Sequence, residues 1–383
     1  MARGHGFKVK FSGEPVHAVQ VNYAFDKGLT DPDALLDRYF TLTGWSEALA
    51  GAGAGTVTVV QRFHRNAEIR RNGVDYLFRA GRLAGGVAAR RPDVAHVHGL
   101  AFPVQVWRLR RALDPRTAMV IQSHADGGAI GRAPALRLLG RLARRSADAF
   151  LFAADEHAAV WREAGFIAAD QPVYCVMPAS STLQPMARAV AAELSGLRGS
   201  PAVLWVGRLN ANKDPLTVLE GFARAAAALP EAVLTMIYSE SDLLGAVRDR
   251  LLLPDLAGRV RLVGPVPHDR MAAFFSAADI FIAGSHHEGS GYSLMEACAC
   301  GAVPVVTNIP SFRVLTGNGS IGALWEPGDA DGCARALLDV AQRDLGAERE
   351  RLAGHFAREL SWDAVGTRAL AIYSNVLERR MAR

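Results

Sequence analysis

The sequence predicts an α/β protein of two domains, each a parallel sheet covered on both faces by helices. Three observations carry this reading. The chain has 383 residues, more than one hydrophobic core commonly organises. Short apolar runs of strand length alternate with helical segments from residue 16 nearly to the end, the pattern of β-α-β units. The alternation breaks once, over residues 179–200 (ASSTLQPMARAVAAELSGLRGS), where Pro185, Gly196, Gly199 and Ser200 mark an inter-domain connection. The boundaries expected are 1–185, 186–365 and a terminal helix over 366–383.

Composition narrows the class. Half the residues are hydrophobic and 21% are charged, an ordinary globular profile. No apolar run reaches membrane-spanning length. The first fifteen residues, MARGHGFKVKFSGEP, contain no apolar core of a secretory leader. Cys175, Cys298, Cys300 and Cys333 form no CxxC framework, which suits reduced thiols in the cytoplasm. Residues 1–195 carry a net charge of +7 and the remainder −2. A basic first half suits an anionic partner such as a membrane surface, a phosphorylated acceptor or a polyanion. The excess is mostly Arg in an Ala-rich chain, which base composition alone can produce.

The first strand is VHAVQV, residues 16–21. The loop YAFDKGLTDPDA follows, with Asp33 expected to cap a helix whose apolar stripe is Leu35, Leu36, Tyr39, Phe40 and Leu49. The glycines of GAGAG end that helix and precede the strand TVTVVQRF. A dinucleotide fingerprint needs the reverse order, so they read as a turn. Strands VDYLF, VAHVH, TAMVIQ, DAFLFA and VYCVM complete the series. Ligands of such sheets sit beyond the carboxyl ends of the strands. His96, His98 and His124 fall near those ends. His98 reads first as a packing histidine, whereas His124, in the turn SHADGG, reads as a site residue. H-x-H alone is too weak a pattern for a metal. The segment from Pro134 to Arg145 sets Arg137, Arg141 and Arg144 on one face, with Leu136, Leu139 and Leu142 for apolar contacts. It reads as an amphipathic helix packed on the sheet, with an anionic membrane as the other occupant considered.

The second series opens with PAVLWVGRLNANKDPLTVLEGFARA. Arg208 and Lys213 bracket a strand-to-helix loop, where they can clamp one diphosphate, Arg through two parallel bonds and Lys as a point charge. Strands AVLTMIY, RVRLVG and ADIFIAG follow. Then comes HHEGSGYSLMEACACGAVPVV, residues 286–306, which reads as turn, helix, glycine stop and strand. Gly289 and Gly291 permit a tight turn and close approach to a ligand. A helix opening near Gly291 offers free N–H groups and a positive dipole end to phosphate. Glu288 precedes the turn and Glu296 lies inside the helix. They can address hydroxyl groups on either side of the diphosphate, the layout of a nucleotide sugar. Chance also produces E-x7-E, with one carboxylate in a loop and one on a helix surface. The order of turn, helix and strand around the pair favours the ligand. Asp329 and Asp331, in PGDAD, read as a turn and helix cap with no metal, as do Asp31 and Asp33.

Taken in order, VGRL…K at 206–213, EGSGYSLME at 288–296, ACGAVPVV at 299–306 and PGD at 327–329 resemble family 4 glycosyltransferases. The resemblance spans nearly the whole C-terminal half and is looser in the first half, where VAHVHG and His124 carry it. It implies the GT-B architecture: two Rossmann-like domains facing a cleft, with a C-terminal helix crossing back to the first. It implies a hexosyltransferase that moves sugar from a UDP- or GDP-type donor with retention of configuration and without a metal or other cofactor. Arg208 and Lys213 would hold the diphosphate. Gly291, Tyr292 and Ser293, with Leu294 in the same run, would present backbone N–H groups. Glu288 would meet the sugar and Glu296 the ribose. Val266 would lie beside the base, and His124 near the transferred sugar. The acceptor would be a glycan, a lipid-linked or anionic molecule, or a small molecule, not nucleic acid. The location would be cytoplasmic, including the inner face of a membrane. A non-catalytic nucleotide-sugar-binding module and a GT-B epimerase or phosphorylase are the other readings. Three positions depart from the family pattern. Only Gly28 follows the first strand, Tyr238-Ser239-Glu240 replaces a glycine turn, and 308–313 (NIPSFR) replaces a Gly-Gly and Glu.

Overall fold

The computed structural model describes residues 15–124 and 134–382. Residues 1–14 and 125–133, which include most of the N-terminal stretch and of the SHADGG turn read above from sequence, lie outside the described residues. The chain divides into two compact units, Met1–Ala179 with Trp362–Arg383, and Ser180–Ser361.

Unit 1 is built on an eight-stranded sheet. Its strands are β1 (His17–Asn22), β2 (Thr56–Arg62), β3 (Ala67–Arg71), β4 (Val74–Arg79), β5 (Val94–His98), β6 (Ala118–Gln122), β7 (Ala149–Phe152) and β8 (Val173–Cys175). The order is β3-β4-β2-β1-β5-β6-β7-β8, parallel throughout except for the β3–β4 hairpin at one edge. β3 was not expected. Its sequence AEIRR has a single large apolar residue and its burial alternates between intermediate and exposed, so it carries almost no apolar signal and forms by pairing with β4. β5, β6 and β7 are buried at every residue, the mark of strands covered on both faces.

Unit 2 carries β9 (Ala202–Gly207), β10 (Val233–Tyr238), β11 (Val260–Gly264), β12 (Ile280–Ala283), β13 (Val303–Thr307) and β14 (Ala323–Trp325). They run parallel in the order β11-β10-β9-β12-β13-β14. The chain winds outward from β9 to β11, then returns to the other side of β9 and winds outward again. This is the doubly wound order, and it opens a crevice where the direction reverses, between β9 and β12. Trp205, Phe222, Met236, Ile280, Ile282 and Trp325 belong to one buried cluster on this sheet.

Several expectations are corrected. The first helix is capped by Asp31, whose side chain accepts from Ala34 N; Asp33 sits in the first turn. Pro32 explains the choice, because proline favours the first helical position and leaves the cap to the residue before it. The helix then breaks at Tyr39 into Pro32–Arg38 and Phe40–Gly51. The stretch 179–200 is not all connection. Arg188–Ser195 is a helix of unit 2, held where the Arg188 guanidinium donates to Ala278 O and pairs with Asp279 at 2.6 Å. On the helix Pro134–Ala143, Leu142 is 71% exposed and Leu139 half-exposed. These two leucines do not supply the packing contacts expected of them.

The last helix, Trp362–Met381, belongs to unit 1. Val365, Ala369, Leu370, Tyr373 and Val376 are buried along it. Its polar side chains also anchor it: Tyr373 Oη lies 2.6 Å from His96 Nδ1, Tyr174 donates to Asn375, and Arg380 pairs with Asp148.

Candidate functional site

The reversal in unit 2 holds a cavity of about 350 Å³. Its floor is the carboxyl ends of β9 and β10 (Val206, Gly207, Ile237, Tyr238), and its walls are the loops after β9, β11 and β12. Arg208, Lys213, Val266, His268, Glu288, Tyr292, Ser293 and Glu296 all line it.

Two loops that are distant in sequence are joined before any ligand arrives. Asn212 Nδ2 donates to His287 O at 3.0 Å, and its Oδ1 accepts from His287 N at 3.1 Å. Asn212 O accepts from His286 N at 2.8 Å. The Asn212 amide thus pairs with the facing backbone as a neighbouring strand would. Asp214, at φ 43°, caps the helix Pro215–Ala226 and stands 3.0 Å from His286 Nε2. The result is that Lys213 Nζ pairs with Glu288, with the two side chains only 16% and 14% exposed. Breaking a pair so shielded leaves a stranded charge, at a cost of about 3 kcal/mol. Arg208 is half-exposed and lies 3.6 Å from Glu240, a contact that solvent weakens.

The helix Tyr292–Cys300 opens on Gly291, at φ 69° and ψ 55°, and ends on Gly301, also left-handed. At Gly291 a Cβ would stand 2.7 Å from Phe312 Cε1, so glycine is required on both conformational and steric grounds. Glu296 is one turn inside, 8% exposed, and 2.6 Å from His268 Nε2. Burial pushes its carboxyl above the ordinary range, and the hydrogen bond from His268 pulls the other way. As a carboxylate on the cavity wall, Glu296 can accept hydrogen bonds from a ligand. The N–H groups of the helix start, Lys213 and Arg208 make the cavity attractive to an anion.

With this geometry in place, the chain can be set against known proteins. Residues 195–355 match the family model described as Glycosyl transferases group 1. The match covers most of the second unit. The D-inositol 3-phosphate glycosyltransferase of Thermomonospora curvata is 30% identical over 188 residues, 46% of this chain and 43% of that protein. The chain thus spans less than half the length of this relative. The GDP-mannose:cellobiosyl-diphosphopolyprenol alpha-mannosyltransferase of Xanthomonas campestris is 27% identical over 285 residues, 71% of each chain. Among solved structures, Anabaena HepE in complex with UDP and glucose superposes with a TM-score of 0.65 at 15% identity, covering 94% of this chain and 100% of that one. That likeness is one of fold, the GT-B glycosyltransferase fold.

The second unit gathers most of the residues singled out from sequence into one cavity. Leu294 is the exception in kind: its side chain is fully buried and away from the lining, so only its backbone is near the helix start. Gly291 acts through its turn. His124 lies in unit 1, where its Nε2 is 2.9 Å from His98 Nδ1. Sequence reading missed His268 and Asn212. His268 was open to inference, since it follows β11 at the carboxyl edge of the sheet. Asn212 was not, because its role lies in the loop it reaches across to.

Proposed function

We propose that the chain is a retaining, metal-independent glycosyltransferase that moves a hexose from a nucleotide-diphosphate sugar to a hydroxyl acceptor. The observation that carries the reading is the cavity itself: two cations, a helix start and a buried carboxylate around one space, at the crevice of a group 1 domain. The diphosphate sits against Arg208, Lys213 and the N–H groups after Gly291. Glu296 accepts from the ribose hydroxyls, and the base lies along Val266. On diphosphate binding Lys213 Nζ turns toward phosphate, and the freed Glu288 accepts from sugar hydroxyls. The bond between the anomeric carbon and the diphosphate oxygen breaks, and these cations offset the charge that grows on the leaving group. The acceptor oxygen bonds to the same face of the sugar, and its proton passes to the departing phosphate oxygen. We also propose that His124 of unit 1 takes part in the transfer reaction. Cations of the chain fill the role that a metal has in other transferases.

The relatives support a UDP- or GDP-type donor, since one is named for GDP-mannose and one fold neighbour holds UDP. The same mannosyltransferase is named for a polyprenol-linked acceptor, which supports a lipid-linked acceptor here. We place the protein in the cytoplasm, against the inner face of the membrane. The exposed Leu138 and Leu142 beside Arg137 and Arg141 support that placement. Among the described residues no helix is long and apolar enough to cross a membrane.

The test is a thermal-shift panel of UDP-, GDP- and ADP-sugars followed by turnover with EDTA present. The cognate donor should raise Tm with occupancy. Lys213→Ala should cut kcat/KM by about 100-fold or more. A Lys213→Ala enzyme with full rate at subsaturating donor would refute the reading. Product analysis with donor alone or with phosphate separates transfer from epimerisation, phosphorolysis and mere binding.

A further inference from the structure

Unit 1 contains a line of hydrogen-bonded side chains that ends on His124. Ser46 Oγ lies 2.8 Å from Leu42 O and 3.1 Å from one terminus of the Gln20 amide. The same terminus is 2.9 Å from His98 Nε2, and His98 Nδ1 is 2.9 Å from His124 Nε2. Ser46 and Gln20 are fully buried and His98 nearly so.

The two termini of an amide have nearly the same shape, so hydrogen-bond counting decides which one sits there. Ser46 has a single proton, and the shorter contact commits it to Leu42 O. Its remaining capacity toward Gln20 is therefore as an acceptor. If the Gln20 terminus were oxygen, two acceptors would face each other at 3.1 Å, and Nε2 would stay buried with no partner. If it is the NH2 group, both protons are used, one on Ser46 Oγ and one on His98 Nε2. Only a carbonyl then goes unpaired, which is the lesser cost. His98 Nε2 therefore accepts. Burial holds the His98 ring neutral, well below its usual titration range, so its one proton is on Nδ1 and is donated to His124 Nε2.

We infer that this relay fixes neutral His124 with its proton on Nδ1, so that the ring offers an N–H donor and not a lone pair to the group it meets. The functional half of the inference rests on the sugar transfer proposed above. In that reaction His124 can act as a hydrogen-bond donor to an oxygen acceptor. It cannot take the acceptor's proton as a base. Ser46, Gln20 and His98 are positioning residues: they touch no substrate and act through the tautomer of His124.

The experiment is the 15N spectrum of the histidine rings of the full-length protein at neutral pH, with His124→Asn used only for assignment. The expected result is a protonated Nδ1 on both His98 and His124. A protonated Nε2 on either ring would overturn the relay. No donor is present, so the outcome does not depend on turnover: an active transferase with the opposite tautomer refutes the relay alone, and the expected tautomer in a chain that binds no donor refutes the transfer reading alone. Ser46→Ala supplies a second arm. Without its acceptor the Gln20 amide loses its preferred orientation, so both His98 tautomers should appear. The value of kcat should fall about fivefold while donor KM stays within about twofold. A Ser46→Ala protein with unchanged ring signals and unchanged kcat would also overturn it.

Discussion

At Glu296, folding and ligand binding pull in opposite directions. Burial raises its pKa above the unfolded value, so ionisation costs stability. That cost is absent in acid and grows as pH rises through the unfolded and then the folded value. Glu296→Gln should therefore raise the Tm of unit 2 at pH 7 by about 2 °C, while donor KM rises at least about tenfold through loss of charged hydrogen bonds. Calorimetry and donor titration of one preparation check both halves; a variant that loses stability contradicts the burial argument. The buried histidines show the opposite sign of linkage. His96 is held down to about 3 by burial, and His98 is also well below 6.5. The unfolded chain binds these protons near 6.5 and the folded chain does not. For His96 this stability is complete above 6.5 and drains as pH falls toward 3, by about 1.4 kcal/mol per pH unit, and His98 contributes in the same direction. The Tm of unit 1 measured from pH 7 to 4 should fall accordingly, and a His96→Phe variant should show a shallower slope.

At the scale of elements, the turn at Gly291 aims the helix start at the cavity. Gly291→Ala should cost about 1–3 kcal/mol, from the left-handed backbone and from the Phe312 ring in the path of the new methyl group. It should also weaken donor binding, because the N–H groups turn with the backbone. Denaturant melts and calorimetric titration measure the two effects; a variant that binds donor at full affinity would show that the helix start is not the phosphate seat. Glycine spacing made this turn legible from sequence, as hydrophobic runs made β9, β12 and β13 legible. The break at Tyr39 was not, and neither was the strand β3, which depends on its pairing partner β4. The tie made by Asn212 is of the same kind: nothing local marks an asparagine that completes a backbone ladder 75 residues away.

For the whole molecule, the terminal helix closes unit 1. Its buried face of Val365, Ala369, Leu370, Tyr373 and Val376 lies on the helix Phe40–Gly51, where Gly44 sits against the Trp362 ring and Gly366 against Ala48. Burying even five such side chains contributes roughly 5–10 kcal/mol. A chain ending at Ser361 should lose the calorimetric transition of unit 1 and keep that of unit 2; two unchanged transitions would refute this. Hydrophobic period, turn residues and a few charged positions sufficed to determine two α/β units and a phosphate-seeking loop and helix, because those signals are local in the chain. Only the tertiary structure decided that Lys213 is held by Glu288, that Glu296 is buried beside His268, and that Ser46 bears on His98 through Gln20. These are matters of burial and proton count between side chains far apart in sequence, and no local pattern encodes them.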